Sequence, residues 1–135
     1  MSLNNFRDVG TFHKKFGLRA HDPGPIEITD ELLQFRLKFL KEELQEFEDA
    51  SVIGDHAGMA DALVDLVYVA LGTAHMFGYP WGELWDDVQS ANMAKQRAAR
   101  DGSDSVRGTA WDVIKPPGWV PPRTAEILAQ YGFTP

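Results

Sequence analysis

Two stretches of the chain carry acidic residues at spacings that gather carboxylates on one side of a helix. Glu42, Glu43 and Glu46 fall within an arc roughly 100° wide when they are placed on a helix. Asp61 and Asp65, further along the chain, are four residues apart and therefore lie one above the other. Oxygen ligands on facing helices suit Mg²⁺ or Mn²⁺, whereas zinc normally recruits His or Cys. The spacing therefore indicates a site for a divalent metal ion.

The stretch around Asp61 and Asp65 is otherwise apolar, and the line through them continues to Tyr68 and Gly72. Two buried neighbouring carboxylates repel each other and lose hydration unless they are protonated, paired or bound to a cation. A lysine or arginine from another helix is one solution. The glutamates alone would also be consistent with a solvated helix face that carries ion pairs. We favour a metal ion shared between the two acidic stretches.

A third chemical element follows in the next helical segment. Asn92 and Lys95 are three residues apart and share a helix face in an acidic protein. An amide and an ammonium directed at a carboxylate–metal cluster are suited to holding phosphate oxygens. Arg97 and Arg100 are better explained as cations near a helix C-terminus.

Helices must position these groups, and a helical pattern of apolar residues dominates the sequence to about residue 100. A first helix runs from Phe6 to Phe16, and a loop with two prolines follows it. The second helix begins near Thr29, the third covers about His56 to Phe77, and Pro80 starts a fourth that continues towards Arg100. The predicted core stripe of the second helix consists of Leu33, Leu37, Leu40, Leu44 and Phe47. The third helix is apolar nearly all round, which predicts a buried helix.

The C-terminal part has a different character. Residues 101–106 form a polar loop, the proline-rich run 115–122 excludes regular helix or central strand, and a short helix covers Thr124 to Tyr131. No convincing alternating strand pattern occurs. We therefore predict an all-α fold: a four-helix bundle with an irregular C-terminal segment and a short terminal helix. Residues 1–135 would form one domain, with a helical core over about 4–100 and a C-terminal wrap over 101–135.

Composition limits the possible functions. The 135 residues carry a formal charge of −7 and no cysteine, which excludes disulfides, thiolate metal sites and cysteine nucleophiles and disfavours nucleic-acid binding. The longest weakly polar stretch, 66–79, is shorter than the roughly 20 residues of a membrane span, and the N-terminus is too polar for a signal peptide. We expect a cytoplasmic protein without nucleic-acid or membrane partners. Glycine-rich phosphate loops and serine-hydrolase motifs are absent.

Together these motifs resemble a known family. The stretches 42–46 (EELQE), 61–68 (DALVDLVY) and 92–95 (NMAK) are similar to the MazG-like all-α nucleoside triphosphate pyrophosphohydrolase superfamily. That superfamily includes dimeric dUTPases and phosphoribosyl-ATP pyrophosphohydrolase. The resemblance covers about residues 35–95. Residues 115–119 more loosely resemble phosphoribosyl-ATP pyrophosphohydrolase-like members.

The resemblance implies roles for individual residues. The family pattern is Glu-x-x-Glu on one helix and Glu-x-x-Asp on the next; Glu43, Glu46 and Asp65 match it, but Ala62 stands at the second motif's Glu position. Asp61 is the nearest acid, so the number of bound ions stays open. The implied activity is Mg²⁺-dependent hydrolysis of a nucleoside triphosphate to the monophosphate and pyrophosphate, with Mn²⁺ as a possible substitute. The implied site comprises metal ligands Glu43, Glu46, Asp61 and Asp65, catalytic Glu42, and substrate-binding Asn92, Lys95, Lys115 and Trp119.

Two alternatives remain open. The substrate could be phosphoribosyl-ATP of histidine synthesis, which the resemblance of residues 115–119 permits. The chain could instead be a non-catalytic helical interaction module whose acids line a solvated groove. We also expect self-association as a dimer or tetramer, because the third helix has more apolar faces than the neighbouring helices of so short a chain can cover.

Overall fold

The computed structural model describes residues 4–134, which are mostly helical. The all-α prediction is confirmed, with one small two-stranded sheet added. Residues 4–79, together with Tyr131–Phe133, form one compact unit, and Pro80–Gln130 form another. The helices are α1 (Asn5–Lys15), α2 (Asp30–Val52), α3 (His56–Phe77), α4 (Trp81–Met93) and α5 (Thr124–Gln130), and the strands are β1 (Gln96–Arg97) and β2 (Val113–Ile114).

Local capping residues define the ends of α2 and α3. The Thr29 side chain accepts a hydrogen bond from the Leu32 N–H at 3.2 Å, and Asp55 accepts one from the Gly58 N–H at 3.0 Å. Gly78 ends α3 in the left-handed region, with φ of +74°, where a side chain would be strained. Only a short turn joins the two helices, so they pack as an antiparallel pair.

Helix α1 packs on α3 through buried histidines and a buried valine. Val9 is 2% exposed, and His13 and His75 are buried with it. The Nε2 of His75 lies 2.7 Å from the Phe6 carbonyl, and its Nδ1 accepts a hydrogen bond from the His21 N–H at 3.2 Å. Because a carbonyl only accepts, Nε2 carries the proton and the ring is neutral. Burial is also the main reason that the pKa of His75 is lowered.

The predicted core stripe of α2 is wrong for three of its five leucine and phenylalanine positions. Leu33, Leu37 and Leu44 are 36%, 39% and 56% exposed. The buried residues of α2 are Arg36, Glu43 and Ala50, which recur every seven positions, flanked by half-buried residues that include Leu40 and Phe47. The side of α2 that faces α3 is thus partly polar, and apolar side chains lie beside it in contact with solvent.

Helix α3 is buried over only part of its length, so the prediction of an entirely buried helix is wrong for its N-terminal half. Leu63, Val64 and Val67 are 49%, 63% and 49% exposed, whereas most of the buried residues of α3 lie from Val69 onwards. These side chains line a groove of about 450 Å³ with residues of α1. By length and composition alone the 22-residue α3 would be long enough to cross a membrane, a test that core helices also pass.

In the second unit, α4 ends at Met93 and not near Arg100 as predicted. The chain turns there into β1, which pairs antiparallel with β2 in the register Gln96↔Ile114. Strands of two residues are too short to produce an alternating pattern, so they could not be predicted from the sequence. Helix α5 packs on α4, where Asp87 accepts a hydrogen bond from the Arg123 N–H at 2.5 Å.

Candidate functional site

Three carboxylates meet between α2 and α3. One oxygen each from Glu43, Glu46 and Asp65 lies within 4.8 Å of the others. Glu43 and Glu46 are three residues apart on α2 and therefore share a face, and the antiparallel α3 brings Asp65 opposite to them. Of the residues predicted to bind metal, the structure brings these three together.

Glu43 is the buried member of this group and its side chain is 9% exposed. Among the buried side-chain oxygen and nitrogen atoms of residues 4–134, its Oε2 is the one without a hydrogen-bond partner. Burial raises the pKa of the Glu43 carboxyl, and Glu46, Asp65 and Glu42 raise it further through like charge. A divalent cation would remove both the unpartnered oxygen and the repulsion, so these three residues fit a hard metal ion.

The two remaining acidic residues of the predicted site lie at its edge. Asp61 is exposed, contrary to the expectation of a buried pair, and is not part of the three-carboxylate group. Ala62 takes the buried position one residue later and is 2% exposed, which turns the Asp61 side chain away by about 100°. Glu42 is exposed too, yet close enough for its charge to affect Glu43.

In the second unit, Trp119 is held by two hydrogen bonds. Its indole Nε1–H donates to the Ala91 carbonyl at 2.7 Å, and its backbone N–H donates to the Pro116 carbonyl at 3.0 Å. The second bond closes a turn with Pro117 and Gly118 at its centre; Gly118 has φ of +78°, which is the arrangement of a type II turn. The proline-rich run therefore fixes the indole against α4.

Lys95 and Lys115 both lie over this indole. Their Nζ atoms are 5.3 and 5.0 Å from the ring centroid of Trp119. The β1–β2 register makes the two lysines neighbours, since each flanks the Gln96↔Ile114 pair. No carboxylate lies within 4.0 Å of either ammonium in the described chain. Asn92 is exposed at the end of α4, and its carbonyl accepts a hydrogen bond from the Lys95 N–H at 3.1 Å.

These two sets of residues have different chemical capacities. The carboxylates of the first unit can bind a divalent cation. The unpaired ammonium groups of the second unit, beside an aromatic ring, can bind an anion such as a phosphate group.

Two buried polar residues of the first unit were missed by the sequence analysis. Arg36 is 5% exposed and His13 is 3% exposed. Arg36 carried a signal, because it lies at helical spacing within the leucine stripe, three residues after Leu33 and four before Leu40. His13 lies among the apolar residues of α1 in the same way.

A family model described as phosphoribosyl-ATP pyrophosphohydrolase matches residues 9–92. The matched range includes α2, α3 and all three clustered carboxylates, and it ends at Asn92. The chain has no match among curated protein sequences.

Proposed function

Because the chain belongs to the phosphoribosyl-ATP pyrophosphohydrolase family, and is thus a hydrolase of nucleotide phosphoanhydride bonds, we propose that it cleaves nucleoside triphosphates between the α and β phosphates. The products would be a nucleoside monophosphate and pyrophosphate, a reaction suited to clearing unwanted nucleotides. The observation that carries this proposal is the group of three carboxylates with the unpartnered Oε2 of Glu43.

Glu43, Glu46 and Asp65 would hold Mg²⁺, and Mn²⁺ could replace it because it takes the same oxygen ligands. Asp61 would act at the edge of the site, through water. Bound Mg²⁺ would neutralise the charge of phosphate oxygens. The exposed carboxylate of Glu42, beside the cluster, would orient the attacking water or accept its proton.

The phosphate chain would be bound by Lys95, with Asn92 as a hydrogen-bond donor. Lys115 would add a second cation beside Lys95, and Trp119 would keep both ammonium groups in place through its ring face. Neutralisation of the carboxylates by metal would make the net charge of −7 compatible with an anionic substrate.

Pyrophosphate release from a panel of nucleoside triphosphates tests this function directly. We expect Mg²⁺-dependent release with at least one of them, and none with Glu46→Gln. Asp49→Asn, an exposed acid further along α2, is the matched control and should retain activity. A wild-type protein that binds Mg²⁺ but releases no pyrophosphate from any member of the panel would contradict the proposal.

The family description favours one alternative substrate, phosphoribosyl-ATP. Complementation of a histidine auxotroph that lacks this activity would identify it, and failure to complement together with activity on the panel would favour the nucleoside triphosphate. A non-catalytic interaction module is the second alternative. It predicts no saturable stabilisation when Mg²⁺ is titrated.

We further propose that the protein self-associates through the groove between α1 and the N-terminal half of α3. Its lining includes Leu63, Val64 and Val67, whose exposed side chains form a contiguous apolar surface. Such surfaces are rarely left in contact with water, and a second copy of the same groove would cover them in a twofold dimer.

A further inference from the structure

Two buried polar side chains from different helices converge on Gly72 of α3. The Nε2 of His13 and the Nη2 of Arg36 lie 2.7 and 2.9 Å from the position that a Cβ atom of Gly72 would occupy. Helices α1, α2 and α3 therefore meet at one point, where the absence of a side chain leaves space for an imidazole and a guanidinium. Any larger residue at 72 would displace them.

The hydrogen bonds of Arg36 leave part of its guanidinium unused. Nε donates to the Thr73 hydroxyl at 3.0 Å, and Nη2 donates to the Val69 carbonyl at 2.9 Å. Nη1 makes no hydrogen bond, and no carboxylate lies within 4.0 Å of the guanidinium in residues 4–134. Nη2 carries a second N–H beyond the one that it donates to the Val69 carbonyl. Arg36 thus presents a free donor.

His13 presents the complementary group. Its Nδ1 lies 3.0 Å from the Arg19 carbonyl, so Nδ1 carries a proton and donates it. In the neutral ring Nε2 is then a hydrogen-bond acceptor. Burial lowers the pKa of His13, and the neighbouring guanidinium of Arg36 lowers it further, because protonation of Nε2 would place two cations together. The Nη2 of Arg36 and the Nε2 of His13, a donor and an acceptor, thus lie side by side above Gly72.

This pair lies on the same side of the helices as the three carboxylates. Arg36 is seven residues from Glu43 on α2, and Gly72 is seven residues from Asp65 on α3. On a helix, seven residues correspond to a distance of about 10.5 Å along the axis and a rotation of only about 20° from the same face. Tyr68 lies between them on α3, and the ring of Phe12 meets it edge-on at 5.3 Å. Because α2 and α3 are antiparallel, both seven-residue steps lead in the same direction.

We propose that Arg36 and His13 recognise the base of the nucleotide, a role that rests on the proposed function at the carboxylates. The separation of about 10.5 Å is comparable with the reach from the α-phosphate to the far edge of a base. Nucleobases present adjacent donors and acceptors on their edges, which match the pair above Gly72. A phosphate offers only acceptors and would leave His13 Nε2 unmatched. The rings of Phe12 and Phe35, 43% and 53% exposed, provide surfaces for stacking.

Binding measured by calorimetry in Mg²⁺ tests this role without turnover. The probes are the non-hydrolysable α,β-methylene analogues of four nucleoside triphosphates, and inorganic tripolyphosphate, which has no base. His13→Asn keeps a donor for the Arg19 carbonyl but removes Nε2, and Arg36→Met removes the guanidinium at similar length. Lys38→Met is the matched control, because it removes an exposed cation from the same helix.

We expect His13→Asn and Arg36→Met to weaken the best nucleotide analogue by about 10- to 100-fold and to reduce its preference over the others. Their affinities for tripolyphosphate and Mg²⁺ should stay within about twofold of the wild type, as should all affinities of Lys38→Met. If Arg36→Met does not fold, His13→Asn decides, since it preserves the hydrogen bond to Arg19.

Three results would overturn the assignment. Equal losses for the nucleotide analogue and tripolyphosphate would give these residues a role at the phosphates or in folding. Unchanged nucleotide affinity would give them no role in binding. A wild type that binds all four analogues no more tightly than tripolyphosphate would refute base recognition and leave the proposed hydrolysis intact, whereas binding of Mg²⁺ but of no probe would refute both.

Discussion

Replacing Glu43 with glutamine should stabilise the metal-free protein and abolish its response to Mg²⁺. Glu43 lies within 4.8 Å of two other carboxylates. At that distance two unit charges repel by about 0.9 kcal/mol in a water-like dielectric and by about 3.5 kcal/mol at an effective dielectric of about 20. Because Glu46 is exposed, we use the lower value, so loss of both repulsions should add about 2 kcal/mol to the free energy of unfolding. For 135 residues this corresponds to a rise in Tm of about 7 °C.

The assay is thermal unfolding at pH 8, where the raised pKa of Glu43 matters least, with and without Mg²⁺. Mg²⁺ at about 100 times its Kd should stabilise the wild type by about 2.7 kcal/mol, and should leave Glu43→Gln unchanged. Glu48→Gln is the matched control on the exposed side of α2, and it should behave as the wild type does. A lower Tm for metal-free Glu43→Gln, together with an intact Mg²⁺ response, would show that Glu43 is a structural residue and refute the reasoning.

Asp65→Asn should abolish pyrophosphate release while the helices remain folded by circular dichroism; an unfolded variant with normal specific activity in its folded fraction would contradict this. Lys95→Ala should lower kcat and weaken apparent nucleotide affinity while Mg²⁺ binding is retained, and Lys95→Arg should rescue it only in part; a small drop in Tm with normal turnover would instead assign Lys95 to its helix end. Burial lowers the pKa values of His13 and His75 below 6.5, so the unfolded chain takes up protons first as the pH falls. Their contribution to stability should therefore be complete above about pH 6.5 and lost as the pH falls from there to the folded pKa values, which urea unfolding across this range would detect. Val64→Asp should shift sedimentation from a dimer towards a monomer, and a wild-type monomer at micromolar concentration would remove the self-association proposal.

The sequence was sufficient for the features of this fold that depend on neighbouring residues. Thr29 caps α2 and Gly78 closes α3 as predicted, because both signals act within one helical turn. The three-residue spacing of Glu43 and Glu46 likewise places them on one face of α2. This holds whichever helix packs against that face. The facing position of Asp65 needed only the further assumption that consecutive helices pack antiparallel.

Features that depend on tertiary contacts could not be obtained in this way. Periodicity alone ranks Leu33 and Leu37 above Arg36 as core residues, yet the guanidinium is the buried group, because a carbonyl and a hydroxyl on α3 accept its hydrogen bonds. Neither acceptor can be identified from the sequence of α2 alone. The pairing of β1 with β2 depends in the same way on a contact across the long loop between Gln96 and Ile114.

The polar side of α2 also contains a buried carboxylate that a bound cation would stabilise. Arg36 and Glu43 are both buried there, but Arg36 donates hydrogen bonds to Thr73 and Val69, whereas the Oε2 of Glu43 has no hydrogen-bond partner. The two residues cannot neutralise each other: at about 10.5 Å their attraction is less than half the repulsion that Glu43 meets from either carboxylate at 4.8 Å. The buried carboxylate therefore destabilises the metal-free chain, and it relaxes only by protonation or by taking up a cation. Since protonation fades as the pH rises through the raised pKa of Glu43, the affinity for a divalent ion should increase over that same interval.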